Sequence, residues 1–137
     1  MASSAPSMSG TVLSTPLLIA LVALKGYQEF KKGKELYIED LAQYLVTLEA
    51  GGIDISRIAL SRSLDKYWSE DVAQFVSEGL VFGFLSHKSP LEFDDRCLEV
   101  CKRAIDSRIS SDEDLRPIVK KAQGILELES VDALAFA

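Results

Sequence analysis

The feature that most constrains the fold is a change of apolar spacing, from helical to extended, near residue 79. The part before it has a helix cap, an acidic first turn and a glycine stop, supplied by Ser69, Glu70, Asp71 and Gly79. After Gly79, residues 80–85 form an apolar run that is typical of a buried strand. The pattern therefore predicts a helix over residues 69–78 that leads through Gly79 directly into a strand.

The rest of the chain is predominantly helical in its spacing. Further helices are expected to begin at Thr15-Pro16, at Ile38, at Asp54 or Ser56, at Asp94 or Asp95, and at Ser111. The helix after Asp54 or Ser56 would carry Ile58, Leu60, Leu64 and Tyr67 inward, and Trp68 would lock it to the next helix. Leu91-Glu92-Phe93 alternates like a short strand and would pair with residues 80–85.

This order of elements predicts a mainly α fold with a short two-stranded β-wing, which is a winged-helix-like domain with additional C-terminal helices. We expect residues 1–14 to be a flexible lead-in and residues 15–109 to form the winged-helix-like domain. Residues 110–137 would form a C-terminal helix and tail that pack on it, because the last residues are apolar.

Charge and composition narrow the class of function. The chain of 137 residues has a net charge of −6, so its overall field repels phosphate and any nucleic-acid site must be local. The apolar run over residues 17–24 is too short for a bilayer, which takes about twenty residues, and residues 1–16 lack the cations of a secretory signal. We therefore expect a cytoplasmic protein without membrane contact.

Catalytic and metal-binding patterns are missing from the sequence. Cys97 and Cys101 lie four apart on the apolar side of a helix, which favours buried reduced thiols over a nucleophile. His87 is the single histidine, so a zinc site would lack ligands. Gly51-Gly52 separates two helices and does not form a phosphate loop. We expect no enzyme activity, no cofactor and no metal.

Two sets of residues are candidates for binding. Phe82 and Phe84 would share one side of the predicted strand and need a cover that the wing alone does not supply. The partner-binding candidates are Phe82, Phe84, Trp68, Glu70 and Asp71. A modest basic patch on the preceding segment gives the nucleic-acid candidates Arg57, Arg62 and Lys66.

Residues 65–81 read DKYWSEDVAQFVSEGLV and follow an apolar opening helix. This tract resembles the small middle-component subunits of bacterial ABC-three-component ATPase systems, which are similar to accessory proteins of SMC-like anti-phage complexes. The resemblance covers about residues 16–106. It implies a non-catalytic adaptor that contacts an ATPase or its effector in antiviral defence, with DNA engaged mainly by the partner.

The sequence is compatible with three functions. The first is an adaptor subunit that binds another protein, such as an ATPase, or a second copy of itself. The second is a winged-helix transcriptional regulator, although its reading helix, residues 69–78, contains acidic residues and no Lys or Arg. The third is a small acidic inhibitor that mimics nucleic acid by its charge.

Overall fold

The computed structural model describes residues 12–63 and 66–129, which fold into five helices and two short antiparallel hairpins. The helices, numbered in chain order, are α1 (Thr15–Lys31), α2 (Ile38–Ala50), α3 (Glu70–Phe82), α4 (Arg96–Ser111) and α5 (Leu115–Ile125). The strands are β1 (Ser61–Arg62), β2 (Tyr67–Trp68), β3 (Leu85–Lys88) and β4 (Leu91–Phe93). The predicted class, mainly α with a short two-stranded β-wing formed by β3 and β4, is confirmed.

Helix α1 is the centre of the core. Ten of its residues are buried, from Leu17 to Gln28, and α4 packs along it most closely, followed by α2. Gly26 permits the close approach of the other elements, since a Cβ there would lie 2.7 Å from the Leu41 side chain and 2.9 Å from the Phe93 ring. Ser14 occupies the N-cap position of α1 without a capping hydrogen bond from its side chain, and the Thr15 hydroxyl donates to the Arg57 carbonyl oxygen.

The predicted third helix, which was to begin at Asp54 or Ser56, is wrong. The chain turns there and then forms the β1–β2 hairpin, in which Ser61 pairs with Trp68 and Arg62 with Tyr67. Ile53 and Ile55 are both buried at the two-residue spacing of extended chain, and β-branched side chains favour that conformation.

The residues assigned inward on that helix have different positions. Ile58 is buried in a turn, Leu60 and Tyr67 are half-buried, and Leu64 lies outside the described residues.

The helix stop at Gly79 and the strand over residues 80–85 are also wrong. Helix α3 begins as expected, with Ser69 Oγ accepting from the Val72 N–H, but it continues to Phe82. Gly83 ends it in the left-handed conformation, with φ +86°, which glycine adopts without steric cost. Gly79 is buried inside the helix, where the wing packs so closely that a Cβ would lie 2.8 Å from the Phe84 ring.

The wing therefore begins later than the sequence indicates. Strand β3 starts at Leu85 and pairs antiparallel with β4, with Leu85 opposite Phe93 and Lys88 opposite Leu91. An irregularity between Leu85 and His87 shifts the register. The second strand lies at the predicted residues, Leu91–Phe93, with its two apolar side chains buried.

The C-terminal part packs against α1, α2 and α4. The buried Gln28 side chain holds it by donating to the Glu127 carbonyl oxygen at 3.1 Å and accepting from the Glu129 N–H at 2.7 Å. The tail over residues 131–137 lies outside the described residues, as do residues 1–11 of the predicted lead-in. Leu13, within that lead-in, is fully buried.

Candidate protein-binding surface

The last turn of α3 leaves large apolar side chains in solvent. Val81 is 78% exposed and Phe82 is 70% exposed, and Leu80 is exposed to a lesser degree. The inward face of α3 is made by Val72, Val76 and Gly79, at spacings of four and three, so residues 80–82 complete the turn on the outer sides. Exposed apolar clusters of this kind mark interaction sites in soluble proteins.

Phe82 and Phe84 do not lie on one strand, contrary to the sequence prediction, and they differ in burial. Phe82 belongs to α3, whereas Phe84 follows the Gly83 turn and is only 8% exposed. The Phe84 ring packs on Phe75, with the ring centres 5.1 Å apart. The prediction assumed a strand, in which residues two apart point the same way, but the end of α3 lies between these two residues.

An apolar groove lies next to this exposed turn, with a volume of about 260 Å³. Helices α3 and α4 form its walls and the first turns of α1 form its floor, because both helices pack on α1 and make few contacts with each other. The residues that line this groove are Thr15, Pro16, Ile19, Ala20, Asp71, Gln74, Phe75, Glu78, Val100, Cys101 and Ala104.

A second hollow continues from the groove toward Phe82. It shares Val100 with the groove and is lined also by Phe82, Phe84, Arg96, Glu99 and Arg103. Val100 is itself 37% exposed and joins the groove to the hollow, so the two together are called the strip.

The charges along this strip are unequal at its two ends. The groove has the carboxylates of Asp71 and Glu78 on its rim and no cationic side chain in its lining. The hollow near Phe82 has Arg96 and Arg103 together with Glu99. Arg96 is partly neutralised by Asp94, whose Oδ1 accepts from Arg96 Nε at 3.2 Å. The backbone N–H of Arg96 also donates to this oxygen, and this bond, followed by the side-chain bond, holds the pKa of the Asp94 carboxyl below its usual value.

The other partner-binding candidates have partners within the chain. Trp68 does not lock two helices in the core; it lies on β2 with 37% of its surface exposed, and its Nε1–H donates to Glu70 Oε2 at 2.7 Å. Asp71 Oδ2 accepts from the Ala59 N–H at 2.8 Å. Glu70 and Asp71 thus hold the segment before β1 and the strand β2 against the start of α3, and Asp71 also borders the groove.

The nucleic-acid candidates lie on and before the β1–β2 hairpin. Arg62 on β1 forms an ion pair with Glu49 of α2, and Lys66 precedes β2. Arg57 lies in the turn before β1, and its carbonyl oxygen accepts from the Thr15 hydroxyl. The pairing of Arg62 with Glu49 weakens the positive field of this patch, and none of the three residues lines the groove.

The predicted thiol pair is buried on one face of α4, as expected. The Cys97 and Cys101 sulfur atoms are 4.0 Å apart, and their contact and burial raise the pKa of the Cys101 thiol well above its usual value. A thiol that stays protonated is a poor nucleophile. Within residues 12–63 and 66–129, no three His, Cys, Asp or Glu side chains come together as a metal site.

Sequence reasoning missed Val81, Val100 and the groove itself. Val81 was assigned to a strand face, and Val100 falls between the buried positions Cys97 and Cys101 of α4. The periodicity of α4 places Val100 beside the apolar face, which was the one available signal. The groove depends on three helices that are distant in the chain.

No protein-family model, curated protein or solved structure matches this chain. In the part of the chain that the structure describes, none of the helices has both the length and the apolar character needed to cross a membrane.

Proposed function

We propose that this protein is a non-catalytic adaptor subunit that works in the cytoplasm by binding another protein. The observation that carries the proposal is the exposure of Val81 and Phe82 at the end of α3, beside an apolar groove. Transferring one large apolar side chain from water into an interface is worth about 1.5–3 kcal/mol, so these residues favour association.

The resemblance of residues 65–81 to middle-component subunits supports an ATPase of an anti-phage complex as the partner. In such a complex the adaptor would contribute contacts, and the ATPase would carry out the chemistry. The absence of Lys and Arg from α3 supports the same assignment, since Glu70, Asp71 and Glu78 would repel the phosphates of a DNA groove.

The test is co-purification from cells that express the tagged full chain together with the genes beside it. We expect a stoichiometric partner with the wild-type protein and its loss with Phe82→Asp, which places a charge on the exposed ring position. Gln43→Asp is the matched control because it adds the same charge at an exposed position of α2.

Far-UV circular dichroism should show equal helix content in all three proteins. The proposal fails if no partner co-purifies with the wild type, or if Phe82→Asp retains the partner. A wild-type homodimer that Phe82→Asp dissociates would replace it with self-association.

A further inference from the structure

The groove and the hollow together form one strip along α3. The side chains of α3 that border it are Asp71, Gln74, Phe75, Glu78 and Phe82, which follow one helix face at spacings of three and four. Eleven residue steps separate Asp71 from Phe82, so the strip is roughly 16 Å long at about 1.5 Å per residue. That length matches about three turns of a helix lying alongside.

We propose that the strip binds an amphipathic helix of a partner protein, with basic side chains beside Asp71 and Glu78. This proposal rests on the adaptor function above and specifies the chemistry of the partner. The partner helix would place its apolar stripe over Phe75, Val100 and Ala104, which line the groove. Recognition of this kind uses apolar anchors at helical spacing in a groove between helices.

The shape of the groove is better suited to the side chains of a bound helix than to a small-molecule ligand. Its volume of about 260 Å³ is spread over an open trough that three helices border. Small-molecule sites usually have about 300–1,000 Å³ and enclose most of the ligand. Three of the four polar side chains in the lining, Asp71, Gln74 and Glu78, come from α3 alone, so they do not converge on a cofactor from several sides.

The charge pattern determines the sign of the charge that the partner helix must have. Helix α3 contains three carboxylates and no cationic side chain. The lining of the groove contains no cationic side chain either. A partner helix with Lys or Arg beside Asp71 and Glu78 is attracted to the groove, while an acidic partner helix is repelled. At the other end Arg96 and Arg103 are balanced by Glu99 and by Asp94, so the hollow has little net charge and the attraction is concentrated at Asp71 and Glu78.

Selection from a random peptide library on phage tests the chemistry without knowledge of the natural partner. The bait is the immobilised full chain, and the displayed peptides are about 16 residues long, enough for three turns and their flanks. We expect enriched peptides with apolar residues at helical spacing and an excess of Lys and Arg over Asp and Glu. An enriched peptide is then synthesised with a fluorescent label and titrated by anisotropy.

Two substitutions and two matched controls connect binding to the groove. Ala104→Trp fills the groove, while Ala50→Trp makes the same change at an exposed position of α2. Glu78→Lys reverses a rim charge, while Glu92→Lys makes the same reversal on the exposed side of β4. We expect Ala104→Trp and Glu78→Lys each to raise the Kd at least about tenfold and the controls to leave it unchanged.

Charge attraction should also make the Kd rise with salt for the wild type and less so for Glu78→Lys. The proposal is refuted if no peptide is enriched, if enriched peptides are acidic, or if Ala104→Trp binds them as the wild type does. If the co-purified partner is lost with Phe82→Asp but kept by both Ala104→Trp and Glu78→Lys, the groove proposal fails while the adaptor function stands. If peptides bind the groove but no protein co-purifies, the adaptor function fails instead.

Discussion

Replacing Phe84 and Phe82 separately with Ala provides the sharpest test of where α3 ends. The two residues flank Gly83 and undergo the same chemical change, but Phe84 is 8% exposed and Phe82 is 70% exposed. If α3 ends at Gly83 as the structure shows, only Phe84→Ala removes a core ring. If residues 80–85 formed a strand, both changes would affect the same side.

The magnitudes follow from burial. A buried Phe→Ala change costs about 3–5 kcal/mol of unfolding free energy, which includes about 0.5–1.5 kcal/mol for the lost contact of Phe84 with Phe75. Phe82→Ala should change the unfolding free energy by no more than about 0.5 kcal/mol, as surface substitutions do. With an unfolding entropy of about 2.1 cal/mol/K for each of the 137 residues, the Phe84 change lowers Tm by roughly 10–17 °C.

Urea unfolding followed by far-UV circular dichroism measures both variants against the wild type. The midpoint should fall strongly for Phe84→Ala and stay near the wild-type value for Phe82→Ala, with equal m-values. Losses that differ by less than about 1 kcal/mol would contradict the assignment of Phe82 to the exposed helix end.

Five further substitutions test the packing. Gly79→Ala should cost about 1–3 kcal/mol, because its Cβ overlaps the wing, while Gly124→Ala, which meets open space, should stabilise by up to about 1 kcal/mol in the same urea assay. Gln28→Ala should cost about 1–3 kcal/mol and speed amide hydrogen exchange in the C-terminal segment that it holds; unchanged exchange would contradict that role. Burial, followed by a hydrogen bond to a carboxylate, raises the pKa of Tyr27 to about 12, so the protonated folded form is favoured. The contribution of this shift to the unfolding free energy is complete below pH 10 and is lost as the pH rises through about 12. Tyr27→Phe should therefore flatten the fall of the urea midpoint in that window. Trp68→Ala should cost about 1–2 kcal/mol of unfolding free energy, because the ring is partly exposed. A loss of about 3–5 kcal/mol would show instead that the ring is part of the core.

The features that could be predicted from the sequence are those that local chemistry determines. The Ser69 cap, the start of α2 at Ile38 and the short strand Leu91–Phe93 all depend on residues within one or two turns of each other. The apolar face of α4, including both cysteines, follows from its helical spacing alone. Such features need no knowledge of what packs against them.

The errors arise where tertiary contacts choose between local alternatives. Gly79 and Gly83 are both able to end a helix, and the packing of the wing against Gly79 leaves Gly83 as the stop. Strands β1 and β2 have two residues each, too few to show a period. The groove could not be predicted because its walls come from α3 and α4, while its floor comes from α1.

The position of the helix end also accounts for the exposed surface. In a strand that begins at residue 80, alternate apolar side chains of residues 80–85 would point into the core. Because the buried Gly79 lets the wing pack beneath the last turn of α3, the helix continues and carries Val81 and Phe82 outward. Gly83 then reverses the chain, so that Phe84 and Leu85 return to the core. The same apolar run thus supplies core and surface, and a partner that covers Val81 and Phe82 would complete the burial that the fold leaves undone.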